Sequence, residues 1–112
     1  MTINFSLENG FNLINLGGRL DTSNYEEASQ QIDNQIEMGQ KKLVINLEQL
    51  EYISSSGLRV LMSALKKVKA IGGNLILCNV PDKITEVFEI SGFSSLFTIT
   101  KDLETAKQKI TA

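Results

Sequence analysis

Three consecutive serines, Ser54–Ser56, are the residues of this chain whose type and placement could support chemistry. They stand between an apolar segment, Leu43–Leu47, and a long amphipathic segment that begins near Leu58. The start of a helix offers unpaired N–H groups and a partial positive charge, which a serine oxygen can cap and a phosphate can also occupy. A hydroxyl in this position can therefore hold the helix, accept a modification, or do both.

The rest of the chain offers these hydroxyls no catalytic partner. There is no histidine, which removes the commonest general base and the commonest metal ligand. A nucleophile elbow needs glycine two positions before its serine, and Ile53 stands there for Ser55. A single cysteine, Cys78, excludes a thiolate zinc site. We therefore expect a binding protein and not an enzyme, with no cofactor or metal. The least favoured hypothesis is an enzyme that uses one of these serines as its nucleophile. It predicts that a fluorophosphonate probe labels the protein, and we expect no labelling.

The bulk composition is that of an ordinary globular domain. The chain has 112 residues, of which 42% are hydrophobic and 21% charged, so we expect one domain over residues 1–112. A net charge of −2 argues against nucleic-acid or membrane partners. The lone Cys78 cannot form an internal disulfide, and the sequence shows no signal peptide or membrane span, so we expect a cytoplasmic location.

The elements that must position the serines follow from the spacing of apolar residues. Alternation predicts a strand before Asn9-Gly10 and a second strand over Phe11–Leu16, joined as a hairpin. We expect Gly17-Gly18 to break the second strand. Asp21 is expected to cap a helix that ends at Gly39.

The remaining elements alternate between strands and helices. The pattern predicts a buried strand over Lys42–Leu47, a short polar link, and a helix after the serines. That helix has one apolar stripe, formed by Leu58, Leu61, Met62, Leu65 and Val68. A strand over Asn74–Cys78, a short helix opened by Pro81-Asp82, a strand over Leu96–Ile99 and a helix over Asp102–Ile110 follow. This order predicts an α/β fold: a mostly parallel mixed sheet of about five strands with an antiparallel N-terminal edge hairpin, and about four helices.

Taken together, these segments resemble STAS domains, and more narrowly the bacterial anti-sigma factor antagonists. The resemblance covers essentially the whole chain, in order and at the family's spacings. It is carried by Gly17–Asp21, Leu43–Leu47, Leu50–Ile53, Ser54–Leu58, Ile71–Leu75 and Phe88–Gly92.

The resemblance implies a phosphoserine switch in bacterial transcription regulation. In this family the unmodified protein binds an anti-sigma factor that is itself a serine kinase, and binding frees the sigma factor. The kinase phosphorylates one serine, which abolishes binding, and a PP2C-type phosphatase resets the protein. The family pattern Asp-Ser-x-Gly-Leu places the acceptor on Ser55. Because Ser54 stands where the family usually has Asp, Ser54 and Ser56 stay open as alternative acceptors.

The resemblance also implies a partner-binding surface around the acceptor. Its residues are Asp21, Thr22, Ser54, Ser55, Ser56, Gly57, Leu58 and Arg59. Arg59 is equally compatible with a solvated helix position. The alternative function is a phosphorylation-independent STAS binding or scaffold module in a partner-switching or sensory complex, and a stable multimer without kinase-dependent phosphate would favour it.

Overall fold

The computed structural model describes all 112 residues and confirms the α/β fold, with six strands and four helices. The strands are β1 (Thr2–Glu8), β2 (Phe11–Leu20), β3 (Lys42–Asn46), β4 (Leu50–Ile53), β5 (Asn74–Cys78) and β6 (Thr98–Thr100). The helices are α1 (Tyr25–Glu37), α2 (Ser55–Ala70), α3 (Asp82–Ile90) and α4 (Leu103–Ile110). No helix is long and apolar enough to cross a membrane.

The sheet is mixed, with the order β1-β2-β3-β5-β6. The β1–β2 hairpin is antiparallel, as expected, and turns at Gly10, whose φ of +94° suits glycine. All other pairs are parallel. Helices α1, α2 and α3 cover one face of the sheet with the larger apolar cluster, and α4 covers the other face with a smaller one. Strand β3 is central, and its residues Leu43–Ile45 are fully buried, as predicted for a strand covered on both faces.

Strand β2 continues through the glycine pair that was expected to break it. Its residues Asn12–Asn15 pair with β3, and Gly18–Leu20 pair with β4. The β2–β4 register shifts between Gly18 and Arg19, where Glu51 of β4 has no partner on β2. Gly18 has a φ of +76° and donates its N–H to the carbonyl of Gln49 at 2.9 Å. Gly18 therefore lies where β2 passes from its first partner to its second, in a backbone conformation that glycine adopts without strain.

Strand β4 replaces the polar link expected between β3 and the serines. Leu50 and Ile53 are buried at its ends, while Glu51 and Tyr52 are exposed. In Leu50–Ile53 the two aliphatic residues stand at the ends of the segment, so apolar and polar residues do not alternate along it. The local pattern therefore did not predict a strand. The last strand was also misplaced, since β6 begins two residues after the expected Leu96.

Asp21 does not cap α1, which corrects a second expectation. The N-cap position belongs to Asn24, whose side chain makes no capping bond to the helix. The carbonyl of Asp21 instead accepts the N–H of Tyr25 at 2.9 Å and that of Asn24 at 3.2 Å. Asp21 therefore opens a turn between β2 and α1, and its carboxylate is left for other contacts.

Cys78 lies in the smaller apolar cluster, beside α4. It is fully buried, and loss of hydration raises the pKa of its thiol to about 11, with smaller contributions from Asp102 and Glu48. The thiol is therefore protonated at neutral pH and fills the core.

Candidate functional site: the serine-capped start of α2

The site forms where two parallel strands end side by side. Leu20 at the end of β2 is paired with Ile53 at the end of β4. The N–H of Ser54 extends this ladder by donating to the carbonyl of Leu20 at 2.9 Å. The residues that follow each strand, Asp21-Thr22 and Ser54-Ser55, therefore lie next to each other. The structure thus brings together the two loops that the sequence singled out.

Ser54 is the serine that caps α2. Its side-chain oxygen accepts the N–H of Gly57 at 3.1 Å, and its carbonyl accepts the N–H of Leu58 at 2.9 Å. Its backbone is extended, with φ −90° and ψ 174°, as is usual for an N-cap residue. The sequence left open which of the three hydroxyls does this work, and the geometry assigns it to the first.

Ser55 is the first residue of α2 and is exposed to solvent. Neither its hydroxyl nor that of the half-buried Ser56 makes a hydrogen bond within the chain. The first turn of α2 holds no acidic side chain. Ser55 thus presents a free hydroxyl at the positive end of a helix, where negative charge is stabilised.

The remaining residues expected on the partner surface divide into two groups. Gly57 and Leu58 are buried, with Leu58 only 3% exposed, so their side of the helix packs on the sheet and cannot face a partner. A Cβ on Gly57 would come within 2.9 Å of the Leu20 side chain and 3.0 Å of its carbonyl oxygen, so the glycine allows α2 to start close against β2. Arg59 is exposed, as a contact residue must be.

Asp21 supplies a fixed negative charge beside the serines. Its carboxylate accepts the hydroxyl of Ser23 at 2.6 Å and the backbone N–H of Ser23 at 2.9 Å. These hydrogen bonds, with a smaller contribution from Arg19, hold the pKa of Asp21 below its ordinary value. The carboxylate is therefore ionised throughout the neutral range.

Two exposed residues at this edge were missed by the sequence reasoning. The guanidinium carbon of Arg19 lies 4.2 Å from the ring centroid of Tyr52, and the Nε of Arg19 lies 3.7 Å from an oxygen of Asp21. Arg19 and Tyr52 are register partners on β2 and β4. Arginine and tyrosine are enriched at binding hot spots, so this stack belongs to the candidate contact surface. Only the pairing of β4 with β2 reveals it.

Replacing Ser54 with alanine should lower the free energy of unfolding by about 1 kcal/mol, because the capping bond to Gly57 is lost. Replacing Ser55 with alanine is the matched control and should change it by less than about 0.5 kcal/mol, since that hydroxyl bonds to nothing in the chain. Urea titration followed by circular dichroism measures both. Equal losses for the two variants would contradict the assignment of the cap to Ser54.

These features define a class: a small α/β domain that presents a free serine hydroxyl at a helix start, next to an ionised carboxylate. The profile of the STAS domain family matches residues 3–106, and the chain therefore belongs to that family. It is 37% identical over 91 residues to BtrV of Bordetella bronchiseptica, a protein assigned as an anti-sigma factor antagonist; the match covers 81% of this chain and 78% of BtrV.

Solved structures of related proteins have the same fold. A crystal structure from Thermotoga maritima, assigned as an anti-sigma factor antagonist, matches 96% of this chain and 93% of its own with a TM-score of 0.91 at 17% identity. The anti-sigma factor antagonist SpoIIAA matches in its unphosphorylated form with a TM-score of 0.75 at 21% identity, covering 96% of each chain. Bacillus SpoIIAA in its phosphorylated form matches with a TM-score of 0.71 at 23% identity, covering 96% of this chain and 98% of that one.

Proposed function

We propose that this chain is an anti-sigma factor antagonist controlled by a reversible phosphate on Ser55. The unphosphorylated protein binds an anti-sigma factor that is also a serine kinase, and this binding frees the sigma factor. The observation that carries the proposal is the division of labour among the serines: Ser54 is committed to the cap, while the Ser55 hydroxyl is exposed and unbonded at the helix start.

The chemistry of the switch needs no catalytic group from this chain. The bound kinase transfers the γ-phosphoryl group of ATP to the Ser55 oxygen, which loses its proton, and ADP leaves. A PP2C-type phosphatase then hydrolyses the ester, restoring the hydroxyl and releasing inorganic phosphate. This chain contributes an accessible acceptor in a fixed position.

The domain should tolerate the phosphate without refolding. A phosphoserine carries a charge of about −1.5 to −2 at neutral pH. At position 55 it faces the unpaired N–H groups and the dipole of α2, and the first turn of α2 has no acidic residue to repel it. The match of SpoIIAA to this fold in both its forms supports the same view.

The effect of the phosphate should fall on the partner. Asp21 belongs to the loop that adjoins the serine loop, so phosphorylation adds a second negative group to a surface that already holds an ionised carboxylate. In a closely packed contact such a dianion must shed its hydration and repels any acidic group of the partner. A loss of about 3 kcal/mol weakens binding more than a hundredfold, which is enough for release.

Phosphopeptide mapping after incubation with the cognate kinase and Mg-ATP tests the proposal. We expect one phosphoryl group per chain, located on Ser55, and none on the Ser55→Ala variant. Treatment with a PP2C-type phosphatase should restore the original mass. Phosphate on Ser54 or Ser56 would contradict the assignment of Ser55 as the acceptor and assign that role to the modified serine. A stable complex with no phosphate within residues 54–56 would contradict the switch and favour the scaffold function.

A further inference from the structure

A groove runs along the exposed side of α2, beside the loop that follows α3. It has a volume of about 420 Å³ and is lined by Arg59, Met62, Ser63, Lys66, Lys67 and Phe93. Although only Met62 and Phe93 are hydrophobic residues, most of its surface is apolar. The alkyl stems of the basic side chains therefore contribute to the walls, which leaves their charged ends at the rim.

The far wall of the groove is held rigidly. Gly92, two residues after the end of α3, has a φ of +75°, and the N–H of Phe93 then donates to the carbonyl of Phe88 at 2.8 Å. Both Phe93 and Met62 are partly buried and pack against the main apolar cluster. Met62 thus lies at the edge of the buried stripe expected for α2 and turns part of its surface to the groove. The apolar floor formed by Met62 and Phe93 is therefore in place before a partner binds, which lowers the ordering cost of binding.

The groove lies on the same face of α2 as the candidate phosphoacceptor. At 3.6 residues per turn, Ser55, Arg59, Met62 and Lys66 fall within an arc of about 60° around the helix axis. The distance from Ser55 to Lys66 along that axis is about 16 Å, or three turns. A partner that contacts Ser55 and continues along α2 therefore enters the groove.

The rim carries uncompensated positive charge. The two ion pairs of the chain join Arg19 to Asp21 and Lys67 to Asp33, the latter at 2.7 Å. Arg59 and Lys66 thus have no carboxylate within 4.0 Å. On a protein with a net charge of −2, this is a local basic face above an apolar floor.

We propose that the groove binds an acidic segment of the anti-sigma kinase, with apolar side chains against Met62 and Phe93 and carboxylates against Arg59 and Lys66. This rests on the proposed function and extends the partner surface along α2, beyond the serine loop. The apolar floor beneath a basic rim is complementary to a segment that carries both kinds of side chain.

The same geometry couples the groove to phosphorylation. Arg59 is four residues after Ser55, so the two side chains are neighbours on the helix surface. A phosphate on Ser55 is within reach of the Arg59 guanidinium, which binds phosphate well. Phosphorylation would then withdraw Arg59 from the partner and place negative charge at the mouth of a groove that receives carboxylates.

Titration of the cognate kinase with three variants tests the groove. Lys66→Glu should weaken binding at least about tenfold, because it sets a carboxylate against the partner's acidic segment. Lys107→Glu is the matched control: it makes the same charge change at an exposed position of α4, on the opposite face of the sheet, and should stay within about twofold of the parent. Lys66→Ala should weaken binding about threefold. If Lys66→Glu does not fold, this variant tests whether Lys66 contributes to kinase binding.

A photo-crosslinking residue, p-benzoylphenylalanine, at Ser63 identifies the occupant. We expect a crosslinked kinase peptide that contains Asp or Glu together with apolar residues. Parent-like binding by both Lys66 variants, or a crosslink to a basic kinase peptide, would contradict the proposal that the groove binds an acidic kinase segment. The proposed switch at Ser55 would be unaffected by either result. A crosslink to a second copy of this chain would show self-association instead. Failure of the parent protein to bind the kinase at all would remove both proposals.

Discussion

Replacing Ser55 with aspartate should weaken binding to the cognate anti-sigma kinase by about a hundredfold or more. The substitution puts a permanent negative charge where the exposed hydroxyl of Ser55 stands, in the loop next to the one that carries the ionised Asp21. That charge must lose its hydration in the contact, and it also repels acidic groups of the partner. Isothermal titration calorimetry of the parent and the variant measures the effect directly.

The same substitution should leave the fold intact, which separates lost binding from lost structure. An aspartate at the first position of α2 faces the positive end of the helix dipole, and this turn has no acidic residue at present. Such placements typically stabilise a helix by about 0.3–1 kcal/mol. The midpoint of urea unfolding should therefore stay the same or rise slightly.

Two control variants separate the effect of the added charge at position 55 from loss of the hydroxyl and from a change in overall charge. Ser55→Ala removes the hydroxyl without adding charge and should bind within a few-fold of the parent. Ser6→Asp makes the same change on the exposed edge strand β1, far from the serine loop. Ser6 pairs with Leu13, which lies seven residues, or roughly 23 Å, along β2 from Leu20. This variant should bind like the parent. If Ser55→Asp also bound as tightly as the parent, release by charge at this position would be wrong.

Gly73→Ala should be the most damaging glycine-to-alanine change in the chain, with a loss of roughly 3 kcal/mol or more in the free energy of unfolding. A Cβ at this position would lie 2.0 Å from the carbonyl oxygen of Lys41 and 2.7 Å from its Cβ. The first of these contacts is with backbone, so no side-chain rotation can relieve it. The two chain segments must move apart where Asn74 N–H donates to the Lys41 carbonyl at 2.8 Å, at the entry to the β3–β5 ladder.

The neighbouring glycine supplies the comparison. Gly72 has a φ of +80° but nothing within 4 Å of its would-be Cβ, so Gly72→Ala meets only backbone strain, of about 1–2 kcal/mol. Urea titration of the two variants should therefore rank Gly73→Ala as the less stable. The reverse order, or equal losses, would show that the α2–β5 junction relaxes around the added methyl group.

The sequence determined those features that depend on residues close together in the chain. Alternating side chains and Asn9-Gly10 specified the β1–β2 hairpin, because a two-residue turn fixes its own register. The continuous apolar run at Leu43–Ile45 specified a central strand. The serines between a strand and an amphipathic helix marked the candidate site, and the resemblance to STAS domains, which the family match confirms, indicated a function.

Tertiary structure alone decided the features that depend on distant pairing. The strand β4 has no signal of its own and forms because β2, continuing through Gly18, offers it an edge. That pairing sets the Leu20 carbonyl against Ser54, commits the first serine to the cap and leaves the second one free. It also stacks Arg19 on Tyr52.

The groove beside α2 likewise needs Phe93, which lies more than twenty-five residues beyond Arg59, Met62 and Lys66 in the chain. Side-chain type and local spacing fix which residues could carry a phosphate or a charge. Which hydroxyl is free, and which surface lies beside it, follows from contacts between segments far apart in sequence, and no local pattern encodes those contacts.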